Sequence, residues 1–95
     1  MLDKMRQLME VKRQAEELKK ELDRTTVEIN EGNGIKVVVS GSQNFRTIKI
    51  DDNLLGDKHR LEASLLRSLN SAVAKSQALA AEKMKAMTGL NLPGL

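Results

Sequence analysis

The sequence predicts an α+β fold: a helix, a three-stranded antiparallel meander and a second helix, with both helices longer than the sheet they flank. Three observations carry this prediction. Residues 35–50 contain a β-branched run with period-2 alternation. Residues 2–24 and 58–88 contain neither Gly nor Pro and repeat their apolar residues with helical spacing. Turn-forming residues stand between these segments, at 32–34 and 41–44. One domain over residues 1–95 follows, with a helix over 1–24, a sheet over 25–51, a helix over 57–88 and a tail over 89–95.

The first helix is rich in Leu, Met, Glu, Lys, Gln and Arg, all good helix formers. Leu8, Val11, Ala15, Leu18 and Leu22 follow a 3-4-3-4 spacing. That is a narrow seam of the coiled-coil kind, broadened near its start by Met1, Leu2, Met5 and Met9. With Leu8 at heptad position a, Arg6, Arg13 and Lys20 fall at f, with Lys12 and Lys19 beside them at e. Asp3, Glu10 and Glu17 fall at c, and Glu16 and Asp23 at b. One outer ridge is therefore basic and its neighbour acidic. Pairs such as Glu16–Lys20 and Glu10–Arg13 have the spacing of intrahelical ion pairs, worth only ~0.2–0.5 kcal/mol each. The ridge reads equally as a solvated face laced with weak pairs and as a row of cations. Such a row, repeating roughly every 10 Å along a helix of 1.5 Å rise, is suited to track a phosphate backbone.

The strands begin after Thr25. Thr26-Val27-Glu28-Ile29-Asn30 alternates polar and apolar residues and leads into Gly32-Asn33-Gly34. A three-residue loop with Gly34 in the left-handed region sets Ile29 opposite Val37 and Val27 opposite Val39, whereas a two-residue loop would set Ile29 against Lys36. A four-residue loop over 41–44 sets Ser40 opposite Phe45, Val37 opposite Ile48 and Ile35 opposite Ile50. One face then carries Val27, Ile29, Ile35, Val37, Val39, Ile48 and Ile50, and the other Lys36, Val38, Thr47 and Lys49. Lys36 and Lys49 oppose each other in this register, and Glu28 on the neighbouring strand is placed to relieve them.

Asp51 to Asp57 reads as a connector whose acidic residues suit turns and a helix N-cap better than a metal cage, which needs more oxygen ligands. Asp57 is the expected N-cap of the second helix, and Gly89 its stop. Leu61, Leu65, Leu69, Ala72, Ser76 and Leu79 form one stripe; Leu66, Val73, Ala80, Met84 and Met87 lie beside it. The stripe thins to small residues around 72–81, which permits close approach by another helix. Asn70 sits near the stripe as a buried register device or an edge residue. In the tail, Pro93 ends any helix, and the leucines there are loose or docked.

Composition narrows the function. The net charge is +3, there is no cysteine, and Phe45 is the sole aromatic residue. No disulfide, thiolate zinc site or cysteine nucleophile is possible, and the core must be aliphatic. No run approaches the ~18–20 apolar residues of a membrane span, and the first residues lack a signal-peptide core. A cytoplasmic protein is expected, with no membrane partner. His59 is a lone histidine in the first turn of a helix, and no nucleophile, base or phosphate loop accompanies it. Gly32-Asn33-Gly34 leads into a strand instead of a helix N-terminus, so it is a hairpin turn and not a phosphate cradle. No enzyme, cofactor, metal or small-molecule substrate is expected. Both helices overhang strands of ~20 Å, and an overhanging seam needs a second surface. A homodimer about a two-fold axis meets that need.

Several stretches together resemble the YbaB family of bacterial nucleoid-associated proteins. They are the Gly-rich turn after the first helix, the strand-Gly-strand run, and Ile50-Asp51 followed by Leu54-Leu55. Leu61-Glu62, Leu65-Leu66 and Asn70-Ser71-Ala72 follow the same pattern. The ending is the most specific: Glu82-Lys83-Met84, then Thr88-Gly89-Leu90-Asn91-Leu92-Pro93-Gly94-Leu95. Asp52 stands where the family often has Pro, the closing stretch is one Gly shorter, and the Gly-rich segment that often precedes the first helix is missing. The resemblance implies an intertwined homodimer whose helices project like tweezers. It also implies a nucleoid component that binds double-stranded DNA with modest sequence preference and affects gene expression. It carries no DNA-reading residue over to this sequence.

The candidate contacts therefore come from charge. Arg6, Lys12, Arg13, Lys19 and Lys20 lead, and Arg60, Arg67, Lys75, Lys83 and Lys85 follow. Residues 1–24 carry seven basic and six acidic side chains, so binding should be weak and salt-sensitive. The alternative is a prefoldin-like or other coiled-coil interaction module that does not bind DNA.

Overall fold

The computed structural model describes residues 2–88. In order they form α1 (Leu2–Arg24), β1 (Thr26–Asn30), β2 (Ile35–Ser40), β3 (Phe45–Ile50), a single 3-10 turn (Asp52–Leu54) and α2 (Lys58–Thr88). The expected roles of Met1, Gly89 and the tail fall outside the described residues. The sheet is an antiparallel meander of order β1-β2-β3, so the chain is α+β with two long helices and a small sheet.

The first hairpin forms as its turn residues demand. Gly34 has φ +88, Ile29 pairs with Val37, and Val27 with Val39. A Cβ on Gly34 would stand 2.8 Å from Leu54 Cδ1, so this turn needs glycine for space as well as for backbone. In the second hairpin Ile35 pairs with Ile50 and Val37 with Ile48, as expected. Near the turn the expected Ser40–Phe45 pair is replaced by Val39–Phe45, with an irregularity beside Val38 and Val39. The cause is local. Gln43 takes φ 66, and Ser40 N–H bonds to Asn44 O at 2.8 Å, so the loop closes one residue earlier. The leftover residue, Arg46, becomes a β-bulge. The bulge turns Phe45 onto the face of Ile48 and Ile50. On the opposite face Lys36 and Lys49 do oppose each other, and Lys36 Nζ reaches Glu28 at 2.7 Å.

α2 lies across β1 and β2. Ile29, Ile35, Val37, Val39, Leu54 and Ala72 are sealed between them, and Val27, Leu61, Leu65 and Leu69 close the edges. Each fully buried Val, Leu or Ile contributes about 1.5–3 kcal/mol. The deepest line of α2 differs from the expected stripe: Ser68 is fully buried with Ala72 and Ser76, while the leucines flank them. These serines are satisfied, which makes their burial tolerable. Ser76 Oγ donates to Ser40 O at 2.7 Å, and Asn33 Nδ2 donates to Ser68 Oγ at 3.0 Å. Small side chains at this crossing bring α2 onto the sheet backbone. Asp57 caps α2 as expected, accepting from Arg60 N–H at 3.1 Å, and Asn70 is an exposed edge residue.

The molecule measures 66 × 25 × 16 Å, with a radius of gyration of 18.2 Å. A compact chain of this length would have roughly 12 Å. The excess is α1, in which no residue is buried. Its last turn is fixed to the body by its own carbonyls. Gly41 N–H bonds to Leu22 O and Thr25 O at 3.0 and 2.9 Å, and Arg46 Nη2 donates to Asp23 O at 3.1 Å. A Cβ on Gly41 would lie 2.9 Å from Leu22 Cδ2, so this seat is shaped by the missing side chain. The β2–β3 turn is thus the mount from which α1 projects.

Candidate nucleic-acid interface

The projecting length of α1 carries most of the leading cations, and ion pairing sorts them. Arg13 is engaged on both sides. Its Nε donates to Glu10 at 3.2 Å and its Nη1 to Glu17 at 2.6 Å. The hydrogen bond from Arg13 holds the Glu10 carboxyl below the usual carboxylate range, and Glu10 in turn raises Arg13 further above its already high value. Arg13 is therefore a cation with two carboxylates beside it. The expected Glu16–Lys20 pair is not formed. An exposed pair of that kind gains too little to fix two long side chains. Arg6, Lys12, Lys19 and Lys20 make no ion pair among the described residues.

Position decides which of these act together. Arg6, Lys12 and Arg13 line one shallow groove on α1 with Met9, Glu10 and Glu16. Lys20 faces a second depression, between α1 and α2, with Glu17, Glu21, Arg24 and Lys83. There Glu21 accepts from Arg24 Nη2 at 2.9 Å and from Lys83 Nζ at 3.3 Å, and these bonds hold its carboxyl below the usual range. Lys83 is thereby committed to joining the helices. Among the described residues Arg60, Arg67 and Lys75 make no ion pair, and they stand on the body instead of the arm; Arg67 borders a small pocket with Asn33, Ala63 and Ser64. Lys85 is exposed near the far end of α2. The ten candidates do not converge on one point. They divide into a line along α1, a cluster at the α1–α2 junction and separate positions on the body.

A second feature of this surface is apolar. Because α2 covers β1 and β2, the same face of β3 is left open: Phe45 is 44%, Ile48 45% and Ile50 37% exposed. Contiguous apolar residues on a small protein mark an interaction surface. The alternation of Ile48 and Ile50 is visible in the sequence, but Phe45 joins them only through the bulge. Arg46, the bulge residue, is an exposed cation that the sequence does not place, and its guanidinium caps α1 by donating to Asp23 O. Among the described residues no cluster of His, Cys, Asp or Glu has the makings of a metal site, and no helix is long and apolar enough to cross a membrane.

Comparison with known proteins adds to this geometry. Residues 1–91 match the model of the YbaB/EbfC DNA-binding family. A protein of Syntrophobacter fumaroxidans is 34% identical over 95 residues, covering 96% of this chain and 86% of its own. One of Flavobacterium johnsoniae is 29% identical over 92 residues, covering 96% and 87%. One of Synechococcus sp. strain CC9311 is 33% identical, covering 95% and 84%. Each of the three is named a nucleoid-associated protein. Among solved structures, an uncharacterised protein of Helicobacter pylori superposes with a TM-score of 0.68 at 23% identity, over 85% of this chain and 84% of the other. That likeness supports the fold alone.

Proposed function

Because the chain belongs to the YbaB/EbfC DNA-binding family, we propose that it is a nucleoid-associated protein that binds double-stranded DNA as a homodimer. The contacts run from basic helical faces to phosphates, with little base reading. The observation that carries this reading is the line of cations Arg6, Lys12, Lys19 and Lys20, which make no ion pair among the described residues, on an arm that projects from the body. Phosphate contacts of this kind give affinity without sequence information, and the affinity falls steeply with salt. Arg13 adds less, since Glu10 and Glu17 already hold it, and Lys83 adds less for its bond to Glu21. Arg60, Arg67, Lys75 and Lys85 are secondary. The protein acts in the cytoplasm on the nucleoid, where DNA organisation and gene expression respond to it. It uses no cofactor and transforms no substrate.

The second copy covers the open face of β3. Phe45, Ile48 and Ile50 of each protomer meet their equivalents about a two-fold axis, which doubles the arms and fixes their separation. The test is a mobility shift on duplex DNA across a salt series, paired with the solution mass. The parent protein is expected to run as a dimer and to bind DNA at low salt. Changing Arg6, Lys12, Lys19 and Lys20 to Glu together should leave the mass unchanged and abolish the shift. If the parent fails to bind duplex DNA even at low salt, the coiled-coil interaction module replaces this reading.

A further inference from the structure

On the sheet face turned away from α2, two lysines oppose each other at the end nearest the Gly32–Gly34 turn. Lys36 of β2 pairs directly with Lys49 of β3, and Asn30 of β1 continues the row by pairing with Lys36. Like charges opposed in this way destabilise a sheet. Glu28 answers one of them: its Oε1 lies 2.7 Å from Lys36 Nζ. Lys49 makes no ion pair among the described residues. The row is short of one negative charge.

The same row borders a depression of about 260 Å³, together with Gly32, Gly34 and Asp51. Sites for drug-sized ligands run to roughly 300–1,000 Å³, so this one suits a small ligand. Gly32 has φ +74, and a Cβ there would meet nothing within 4 Å, so nothing crowds the turn beside the lysines. Asn30 Oδ1 accepts from Gly32 N–H at 3.2 Å, which leaves Nδ2 as the donor end of that amide. Nδ2 makes no hydrogen bond among the described residues.

We propose that this depression binds a small phosphate-type oxyanion, held by Lys36 Nζ, Lys49 Nζ and Asn30 Nδ2. Donors from three adjacent strands suit a tetrahedral anion, which has an oxygen for each, better than a planar carboxylate, which has two. The paired ammonium groups turn away a metal ion. A bound oxyanion supplies the charge that Lys49 lacks and converts the repulsion of the pair into attraction. The DNA backbone is the other source of phosphate, and the neighbouring carboxylates disfavour it. Asp51 borders the depression and Glu28 stands beside Lys36, so an extended polyanion would run against both. A single small anion sits between the lysines. This site is therefore separate from the arm cations proposed to meet DNA.

Amide NMR of the full chain tests this with inorganic phosphate as the probe, exchanged for chloride at constant ionic strength. Saturable shifts are expected at the Asn30 side-chain amide and at the backbone amides of Lys36 and Lys49, with those of Arg6 and Lys20 unmoved. Lys49→Gln should weaken this binding at least tenfold, as loss of a charge-assisted bond does. Glu28→Gln, which frees Lys36 from an exposed pair, should tighten it about threefold. Both positions are exposed, and an otherwise unchanged amide spectrum verifies the fold of each variant. Shifts that chloride reproduces, or that Lys49→Gln leaves unaltered, would overturn the proposal. A short duplex in place of phosphate should move arm amides and leave the Asn30 side chain unmoved. If duplex shifts Asn30 as phosphate does, the phosphate is that of DNA and the separate site is overturned.

Discussion

In the body, Ile29, Val37 and Leu54 are wholly withdrawn from water; along the outer part of α1, Leu8 and Val11 carry the same kind of side chain into solvent. The body obtains its order from burial, with α2 laid over β1 and β2 and small residues at the crossing. The arm obtains its order from helix propensity and from its last turns, where Gly41 and Arg46 hold backbone carbonyls and Lys83 of α2 reaches Glu21. A single helix of this kind is marginal in water unless something packs on it. The contrast teaches that the fold ends before the molecule does. What projects beyond the core has a surface to offer rather than a core to protect.

The contrast is breakable by substitution, and the largest effect belongs to the core. Ile29→Ala should cost about 2–5 kcal/mol of stability, while Leu8→Ala should cost about 1 kcal/mol or less. Urea denaturation followed by circular dichroism compares them directly, and similar costs would mean that the arm is as deeply packed as the body. Next is the seat. Gly41→Val forces a side chain against Leu22 Cδ2 and Leu22 O, which should cost about 1–3 kcal/mol and release α1 from the body. Faster amide exchange at Leu22 to Thr25 reads that release.

The open sheet face gives a third, smaller effect. Ile48→Asp should weaken self-association at least tenfold, about 1.4 kcal/mol, with secondary structure retained; sedimentation across a concentration series measures it. The smallest belongs to the junction between helices. Glu21→Gln loosens the bonds from Arg24, which is exposed, and from Lys83, which is part-buried, and single pairs of this kind are weak. Because those bonds lower the Glu21 carboxyl, their contribution is complete at neutral pH. It is lost as pH falls below the ordinary glutamate range, about 4.3. The parent melting temperature should therefore approach that of the variant in acid.

Much of the body was legible in the sequence, because alternation and turn chemistry leave little freedom. Ile29 opposite Val37 follows from the spacing around Gly34, and Asp57 announces the start of α2. What escaped did so for physical reasons. Gln43 adopts a left-handed conformation that favours Gly or Asn, so the shorter loop and the bulge at Arg46 had no sequence signal. Ser68 reads as a surface residue until Asn33 is seen to bond it. On the arm the cations and the Glu10–Arg13 pair were visible as spacing. The absence of Glu16–Lys20 was not, since a weak exposed pair is decided by rotamers and not by sequence separation.

The central claim is that the arm, not the body, touches DNA. Fluorescence anisotropy of one labelled duplex, titrated across a salt series with two charge-neutralised variants, tests it most directly. One variant carries Gln at Arg6, Lys12, Lys19 and Lys20; the other carries Gln at Arg60, Arg67 and Lys75; both are first matched for solution mass. The arm variant should lose at least tenfold in affinity with a shallower salt dependence, as expected when phosphate contacts are removed, and the body variant should stay within about threefold of the parent. A body variant that loses more than the arm variant would contradict the account.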